Sequence, residues 1–326
     1  MNRREFLNAS AALAAGSFLN PAIAQTSQTV AKTTKKPRII TEFFTLSNGV
    51  KIPKIGLGLW RIPNDKIQEA INAALKNDYR HFDTAQAYDN EDGTGKALRI
   101  AIEKGIIKRD EIFITSKIRA EIKDFETAKK SIDETLNKMG LPFVDLMLIH
   151  AAEPWRDFRG NGNYDAGNRA VWRALEEALQ NGKVRAIGVS NFLEKDLNNI
   201  LSAAKVAPMV NQILLHVGNT PFELIEFCKK QNILVEAYSP IAHGNLLKSQ
   251  ELQAMAEKYK VSAAQLCIRY ALDLGVLPLP KSANPQHIAQ NAAVDFTISA
   301  QDLEILKTLN FKDYGENAHF PVFSGK

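Results

Sequence analysis

The amino-acid sequence predicts a (β/α)8 barrel preceded by an N-terminal β-hairpin. Two patterns and one absence predict it. Short apolar runs alternate with amphipathic helical stretches eight times, over the ~250 residues such a barrel typically occupies. Each run is followed by a helical stretch, the order that makes parallel strands. The rival, a doubly wound open sheet, would place a glycine-rich nucleotide fingerprint after its first strand. Gly56-Leu57-Gly58-Leu59-Trp60-Arg61 stops short of that fingerprint.

At the N-terminus, Arg3-Arg4 lead an Ala-rich apolar stretch from Ala9 to Leu19, and Ala22-Ile23-Ala24 make a small-residue cleavage site. These are the three parts of a signal peptide over residues 1–24, whose apolar run is too short for the ~20 residues of a membrane span. Arg-Arg-x-Phe-Leu resembles the bacterial twin-arginine signal, a receptor-read address. The resemblance implies passage of the folded chain through the twin-arginine export machinery, cleavage after Ala24 and a periplasmic location. Ordinary secretion and a cytoplasmic location are the alternatives. Residues 25–41 are polar and Thr/Lys-rich and read as a flexible linker, which leaves 42–326 as the barrel domain. Asn48-Gly49, between short alternating segments, marks the hairpin.

The barrel strands are read in IGLGLW, HFDTA, IFITSKI, VDLMLIH, AIGVS, MVNQILLH, LVEAYSP and VLPLPKS. The helices are read in NDKIQEAINAALKN, GTGKALRIAIEKG, FETAKKSIDETLNKM, NRAVWRALEEALQNG, LEKDLNNILSAA, PFELIEFCKKQN, SQELQAMAEKYK, SAAQLCIRYALDLG, NPQHIAQNAA and SAQDLEILKTL. The 326 residues are 45% hydrophobic with a formal charge of +5. That excess is small and forms no long basic stripe, so no nucleic-acid partner is expected. Cys228 and Cys267 lie in separate helical segments without metal-ligand spacing, so they read as buried thiols and no metal site is expected.

Chemistry in such a barrel sits at the C-terminal ends of the strands. Three consecutive strands end in reactive groups: Asp83, Lys117 and His150, with Tyr88 in the loop after the first. One such residue alone is ordinary, since an Asp often caps a helix and a His often sits satisfied in a core. Four on adjacent strands at one rim suggest a site. A tyrosine with a pKa of about 10 is a poor acid–base group at neutral pH. A lysine cation about 4 Å away would lower it by roughly 4 kcal/mol of interaction at an effective dielectric of ~20. Asp83 would hold Lys117, and His150 would orient a carbonyl oxygen beside the tyrosine.

With GLGLW, YRHFDTAQAYDNE, ITSKI, LIH, IGVSNF, VNQ, AYSP and LPKS in succession, the chain resembles the aldo-keto reductase family from about Phe43 to Phe311, and most of all its bacterial branch of diketogluconate reductases. The resemblance implies NAD(P)H-dependent reduction of an aldehyde or ketone, with Asp83, Tyr88, Lys117 and His150 as a catalytic tetrad and Tyr88 as general acid. It implies Ser190, Asn191 and Gln212 as binders of the nicotinamide carboxamide, and Tyr238 as the ring stacked on the nicotinamide. Gly58, Asp83, Ser239, Pro240, Ile241, Lys281, Ser282, Asn284, His287, Gln290 and Asn291 complete the expected cofactor contacts. Trp60, His150 and Arg119 are expected to meet the substrate. The cofactor implied is NADP(H), with NAD(H) also used, and the chain is expected to act as a monomer.

Three departures from the family pattern bear on function. His287 stands where many members have an arginine for the 2′-phosphate of NADPH, so a weakened preference over NADH is expected. Ala151-Ala152 replaces the frequent Trp-Pro after His150. Arg119 replaces an aromatic. The last two suggest a wider pocket with a cation on its rim, suited to polar or carboxylate-bearing carbonyl compounds. The alternatives are that Arg119 pairs with Glu121, and that Trp155 or the tail NAHFPVF refills the pocket. The segment after Tyr238 is short, so no long lid over the cofactor is expected. Two other functions compete: a lyase using Lys117 as a Schiff-base nucleophile, and a non-catalytic binding or redox-sensing barrel.

Overall fold

The computed structural model describes residues 38–324. The signal-peptide reading of 1–24 and the linker reading of 25–37 lie outside them. The last four residues assigned to the linker are packed rather than free. Arg38 bonds the Asp78 carboxylate at 2.9 Å, Ile39 N donates to Asp295 at 2.7 Å, and Ile40 is buried. The adjacent isoleucines explain this, because the barrel offers them an apolar seat.

Strand β1 (Phe43–Thr45) pairs antiparallel with β2 (Lys51–Pro53). Gly49 takes φ +86° in their turn, a conformation that favours glycine, and Asn48 Oδ1 accepts from Val50 N. Asn48 Nδ2 also donates to the carbonyl of Arg185 at the entry of a barrel strand, which places the hairpin at the N-terminal end of the barrel.

Eight parallel strands follow in chain order: β3 (Leu57–Gly58), β4 (His81–Asp83), β5 (Phe113–Ile118), β6 (Val144–Ile149), β7 (Val184–Ser190), β8 (Val210–Leu214), β9 (Leu234–Tyr238) and β10 (Leu277–Leu279). The ring closes between β3 and β10. Gly56 N and Gly58 N donate to the carbonyls of Pro278 and Pro280, and Gly58 bridges to Lys281. The prolines lack an N–H, so this seam runs on glycine donors and proline acceptors. A Cβ on Gly58 would lie 3.2 Å from the Leu279 carbonyl, which keeps the seam narrow.

Helices α1 (Asn64–Lys76), α2 (Glu91–Glu103), α3 (Phe125–Met139), α4 (Asp165–Gln180), α5 (Glu194–Leu201), α6 (Phe222–Lys230), α7 (Gln250–Lys258), α8 (Ala263–Asp273), α9 (Pro285–Ala292) and α10 (Ala300–Thr308) surround the barrel. Their caps follow sequence signals. Asp124 accepts from Thr127 N to open α3, and Ser262 and Gln265 form a capping box on α8. Helix α2 starts two residues earlier than the sequence suggested, and Gly93 and Gly95 lie inside it. Gly95 serves packing, since a Cβ there would stand 2.3 Å from the Met139 carbonyl on α3. Both cysteines are buried, and burial pushes their thiols up to about 11 and about 12.

The strands bury mostly apolar residues, with two polar layers. At the base, buried Asp145 accepts from Arg109, Arg185 and Ile114 N at 2.8–2.9 Å. Toward the C-terminal ends, Asp83, Lys117, Gln212 and Glu236 are buried together. Charges this deep persist only when paired.

Candidate active site

Asp83 closes β4, Lys117 lies near the end of β5, and His150 follows β6. A single 3-10 turn, Gln86–Tyr88, hangs the tyrosine over them. The turn is held from two sides. Asn90 accepts from Thr84 and donates to the carbonyls of Leu59 and Ile62. Gln86 donates to Ser131 O and Thr135 and accepts from Arg119 N.

Lys117 is fully buried, and its Nζ donates to Asp83 Oδ1 at 2.8 Å, Asp83 Oδ2 at 2.9 Å, Thr84 O at 2.9 Å and Tyr88 Oη at 3.2 Å. Burial is the largest influence and opposes its charge, but Asp83 and Tyr88 together overcome it and the ammonium is held above its usual range. Because Lys117 is the donor to Tyr88, the phenol keeps its own proton for another acceptor. The expected lowering of the phenol pKa is not found. Burial raises it, Lys117 pulls it down, Asp83 pushes it up, and the net direction is upward. The sequence shows the charges around Tyr88 but not the loss of water on burial, which is the largest influence on the phenol. Tyr88 therefore stands protonated at neutral pH.

His150 lies edge-on to Tyr88, with ring centroids 5.7 Å apart. Burial first, then the charges of Lys117 and Arg119, push its pKa well down, so it is neutral. Its Nδ1 is buried without a partner. A buried unpaired N–H is rarer than a buried unpaired acceptor, so we assign the proton to Nε2.

Next to this group lies a second cluster. Gln212 Nε2 donates to Asp83 Oδ2 at 2.9 Å and to Glu236 Oε2 at 2.8 Å. Ser190 Oγ donates to Gln212 O, Asn191 Nδ2 to His150 O, and Tyr238 Oη to Asn191 Oδ1 at 2.7 Å. Asn191 and Ser239 have φ of +59° and +51°, and Ala242 and His243 are also left-handed. Such strain in non-glycine residues concentrates at functional sites. Asp83, Tyr88, Lys117, His150, Ser190, Asn191, Gln212 and Tyr238 thus form one connected constellation.

The remaining expected contacts lie along an arc beside it. Ser239, Pro240 and Ile241 follow Tyr238, which pairs with Leu279 across β9 and β10. Gly58 meets Lys281 at the seam, and Ser282 Oγ accepts from Asn284 N. Asn284 caps α9 by accepting from Gln286 N and His287 N. The side chains of His287 and Gln290 are exposed, and Asn291 is buried.

Arg119 is placed at the rim but is not a free cation, and its partner is not Glu121. Its guanidinium bonds Gln86 O at 2.9 Å and Asp89 at 2.8 Å. The sequence could not show that the turn carrying Tyr88 brings Asp89 back over β5. Nor is the wall left open by Ala151-Ala152 missing. Trp155 lies edge-on to His150 at 5.0 Å, and Val322 of the tail packs with Ala120, Ala151, Phe158 and Trp155. On the other side Trp60 meets Phe320 at 5.1 Å and His243 at 5.4 Å, and Phe323 lies against His243 and Tyr238. Trp155 and the tail therefore refill the pocket with apolar groups. Thr84, Gln86, Asn90 and Glu236 were not identified from the sequence. Asn90 and Gln86 lie within the DTAQAYDNE stretch, which was the available signal.

Residues 54–310 match the model of the aldo/keto reductase family. The chain belongs to that family. It is 39% identical over 276 residues to glyoxal reductase of Bacillus subtilis, covering 84% of this chain and 95% of the relative. It is 36% identical to aldose reductase C of Dictyostelium discoideum, covering 82% and 89%. Among solved structures, an aldo/keto reductase from Brucella melitensis superposes with a TM-score of 0.77 at 36% identity, covering 85% of this chain and all of that one. A Bombyx mori aldo-keto reductase in complex with NADP gives 0.75 at 30% identity, covering 86% and 98%. As an aldo/keto reductase, the protein is an oxidoreductase. No described helix is long and apolar enough to cross a membrane.

Proposed function

We propose that this aldo/keto reductase reduces small aldehydes or ketones to alcohols with NADPH, and also uses NADH. One observation carries the reading: a buried ammonium is locked on Asp83 and donates to Tyr88, whose own proton is left for a ligand. The residues present fit a nicotinamide nucleotide. Ser190, Asn191 and Gln212 cluster beside Tyr238, where a carboxamide and a planar ring could be held. Lys281 is an exposed cation on which the acting charge is Arg61 rather than a carboxylate, and the first turn of α9 carries no acidic residue. Both features suit phosphate.

When bound beside Tyr238, a reduced nicotinamide would supply the hydride to the carbonyl carbon. Tyr88 donates its proton to the carbonyl oxygen, and Lys117 stabilises the phenolate left behind. His150, neutral with Nε2–H, donates a second hydrogen bond to the same oxygen. Asp83 keeps Lys117 charged, which also argues against Schiff-base chemistry, since a charged and enclosed amine is no nucleophile. The complete set of groups in donor–acceptor order favours catalysis over a binding-only barrel.

The apolar walls of Trp60, Trp155 and Phe323 favour small or aromatic carbonyl compounds over carboxylates. The similarity to glyoxal reductase supports short dicarbonyls rather than the sugar acids that a place beside the diketogluconate reductases would imply. Arg3-Arg4 and Ala22-Ile23-Ala24 support export by the twin-arginine route to the periplasm. The test is NADPH oxidation across aldehydes, ketones and keto acids, with Tyr88→Phe as control. Turnover by the wild type and its loss in that variant are expected, whereas full activity in Tyr88→Phe would refute the mechanism.

A further inference from the structure

Glu236 is a buried ionisable residue toward the C-terminal ends of the strands to which the mechanism gives no task. It lies on β9 opposite Gln212 of β8, is fully buried, and has one carboxyl oxygen without a partner. Its other oxygen accepts from Gln212 Nε2 at 2.8 Å, and the second proton of that nitrogen goes to Asp83 at 2.9 Å. A side-chain amide has two donors on nitrogen and acceptor capacity on oxygen. Here both donors face carboxyl groups. Turning the amide over would set its oxygen against the Asp83 carboxylate, which only accepts, so that orientation is unfavourable. The amide therefore has one orientation, with Oε1 away from Asp83 and Glu236.

We propose that Glu236 is a positioning residue: together with Asp83 it fixes the amide of Gln212 so that its oxygen accepts from the carboxamide –NH2 of the nicotinamide. This rests on the nucleotide reading above. Asp83 alone would hold one proton of the amide nitrogen and leave the rest free to rotate. Glu236 supplies the second point, and two points set a plane. Gln212 then reads the carboxamide by its donor end. Glu236 itself touches neither nucleotide nor substrate. It sits on β9, one strand further round the barrel than Gln212.

The test compares dissociation constants, by quenching of tryptophan fluorescence, for NADP+ and its 3-acetylpyridine analogue. The analogue carries a methyl group where the carboxamide has –NH2, so it cannot donate to Gln212. One lost hydrogen bond predicts about tenfold weaker binding of the analogue to the wild type. In Glu236→Met, which keeps bulk and removes the acceptor, the ratio should fall to within about twofold. Glu236→Gln still offers a carbonyl oxygen to Gln212 and should keep the wild-type ratio. A merely structural role would weaken both nucleotides alike and leave the ratio unchanged. Should Glu236→Met fail to fold, Glu236→Val gives the same reading with a residue suited to a strand. An unchanged ratio in the apolar variant overturns the proposal, as does loss of the ratio in Glu236→Gln or equal binding of both nucleotides by the wild type. Failure of the wild type to bind NADP+ at all would instead overturn the nucleotide reading.

Discussion

Lys117 is the residue whose removal tests the mechanism most directly. Its ammonium lies 3.2 Å from the Tyr88 oxygen. Two unit charges at that distance interact by ~5 kcal/mol at an effective dielectric of ~20. Tyr88 passes its proton only partway in the transition state, so about half that charge has developed there. Replacing Lys117 by methionine should raise the barrier by ~2–3 kcal/mol and lower kcat for carbonyl reduction about 10²-fold. The single variant also leaves Asp83 as an unpaired buried charge, which costs ~3–5 kcal/mol of stability. The pair Asp83→Asn with Lys117→Met removes both charges and separates the two effects. It should recover most of the stability and keep the kinetic loss. The pH profile gives an independent sign. Reduction needs protonated Tyr88, so its rate persists below the Tyr88 pKa and is lost as pH rises through it. Alcohol oxidation needs the phenolate and rises toward that pKa, and loss of Lys117 should move this limb to higher pH. A folded double variant that reduces carbonyls within about threefold of wild type would refute the reasoning.

Other perturbations follow from the same geometry. Arg119→Ala frees Gln86 O and Asp89, so kcat should fall about three- to tenfold for neutral and anionic carbonyl substrates alike; a KM effect confined to anions would restore the free-cation reading. Burial, reinforced by the charge of Asp83, pushes Glu236 up to about 8. Unfolding releases its proton between the ordinary carboxyl range and pH 8, so stability falls as pH rises through that window. Glu236→Gln should abolish the effect and gain roughly 5 °C in Tm at pH 8 relative to pH 5, whereas a pH-independent difference would count against it. His287→Arg should raise the NADPH-over-NADH ratio of kcat/KM about tenfold from a modest wild-type value, and a very large wild-type preference would show that Lys281 suffices without it.

How much of this was legible in the chain depends on how far each signal travels. The eight barrel strands were legible because strands buried on both faces read as short apolar runs. Asp83, Lys117 and His150 were legible because they break those runs at the functional end. Glu236 breaks LVEAYSP in the same way. Its depth, though, is set by the stagger of β8 against β9, which no local pattern contains. The partner of Arg119 was hidden because the turn at Gln86–Tyr88 reverses the chain over a neighbouring strand. The wall at Ala151-Ala152 is restored by Val322, some 170 residues away, so the local gap was real and its consequence was not. The Tyr88 shift failed for another reason. Its neighbouring charges are visible in the sequence, but the loss of water around it arises only once the barrel has closed.

The export reading and the nucleotide reading constrain one another. The residues proposed to hold the nucleotide, Ser190, Gln212 and Tyr238, stand on β7, β8 and β9, and Asn191 directly follows β7. Their hydrogen bonds tie these strands together, so the site exists only after the barrel has folded. A nucleotide that binds this folded state alone stabilises it by ~2.7 kcal/mol at a hundredfold excess over Kd. Nicotinamide nucleotides are made and recycled in the cytoplasm, and the twin-arginine resemblance implies export of the folded chain. Loading should therefore precede export. We expect protein recovered from the periplasm by osmotic shock to release nicotinamide nucleotide on heating. Replacing Arg3 and Arg4 by lysine should hold the chain in the cytoplasm, with the nucleotide still bound. A fully apo periplasmic pool, beside a loaded cytoplasmic one, would mean that the nucleotide dissociates during or after transport. The short segment after Tyr238 would then be the feature that lets it go.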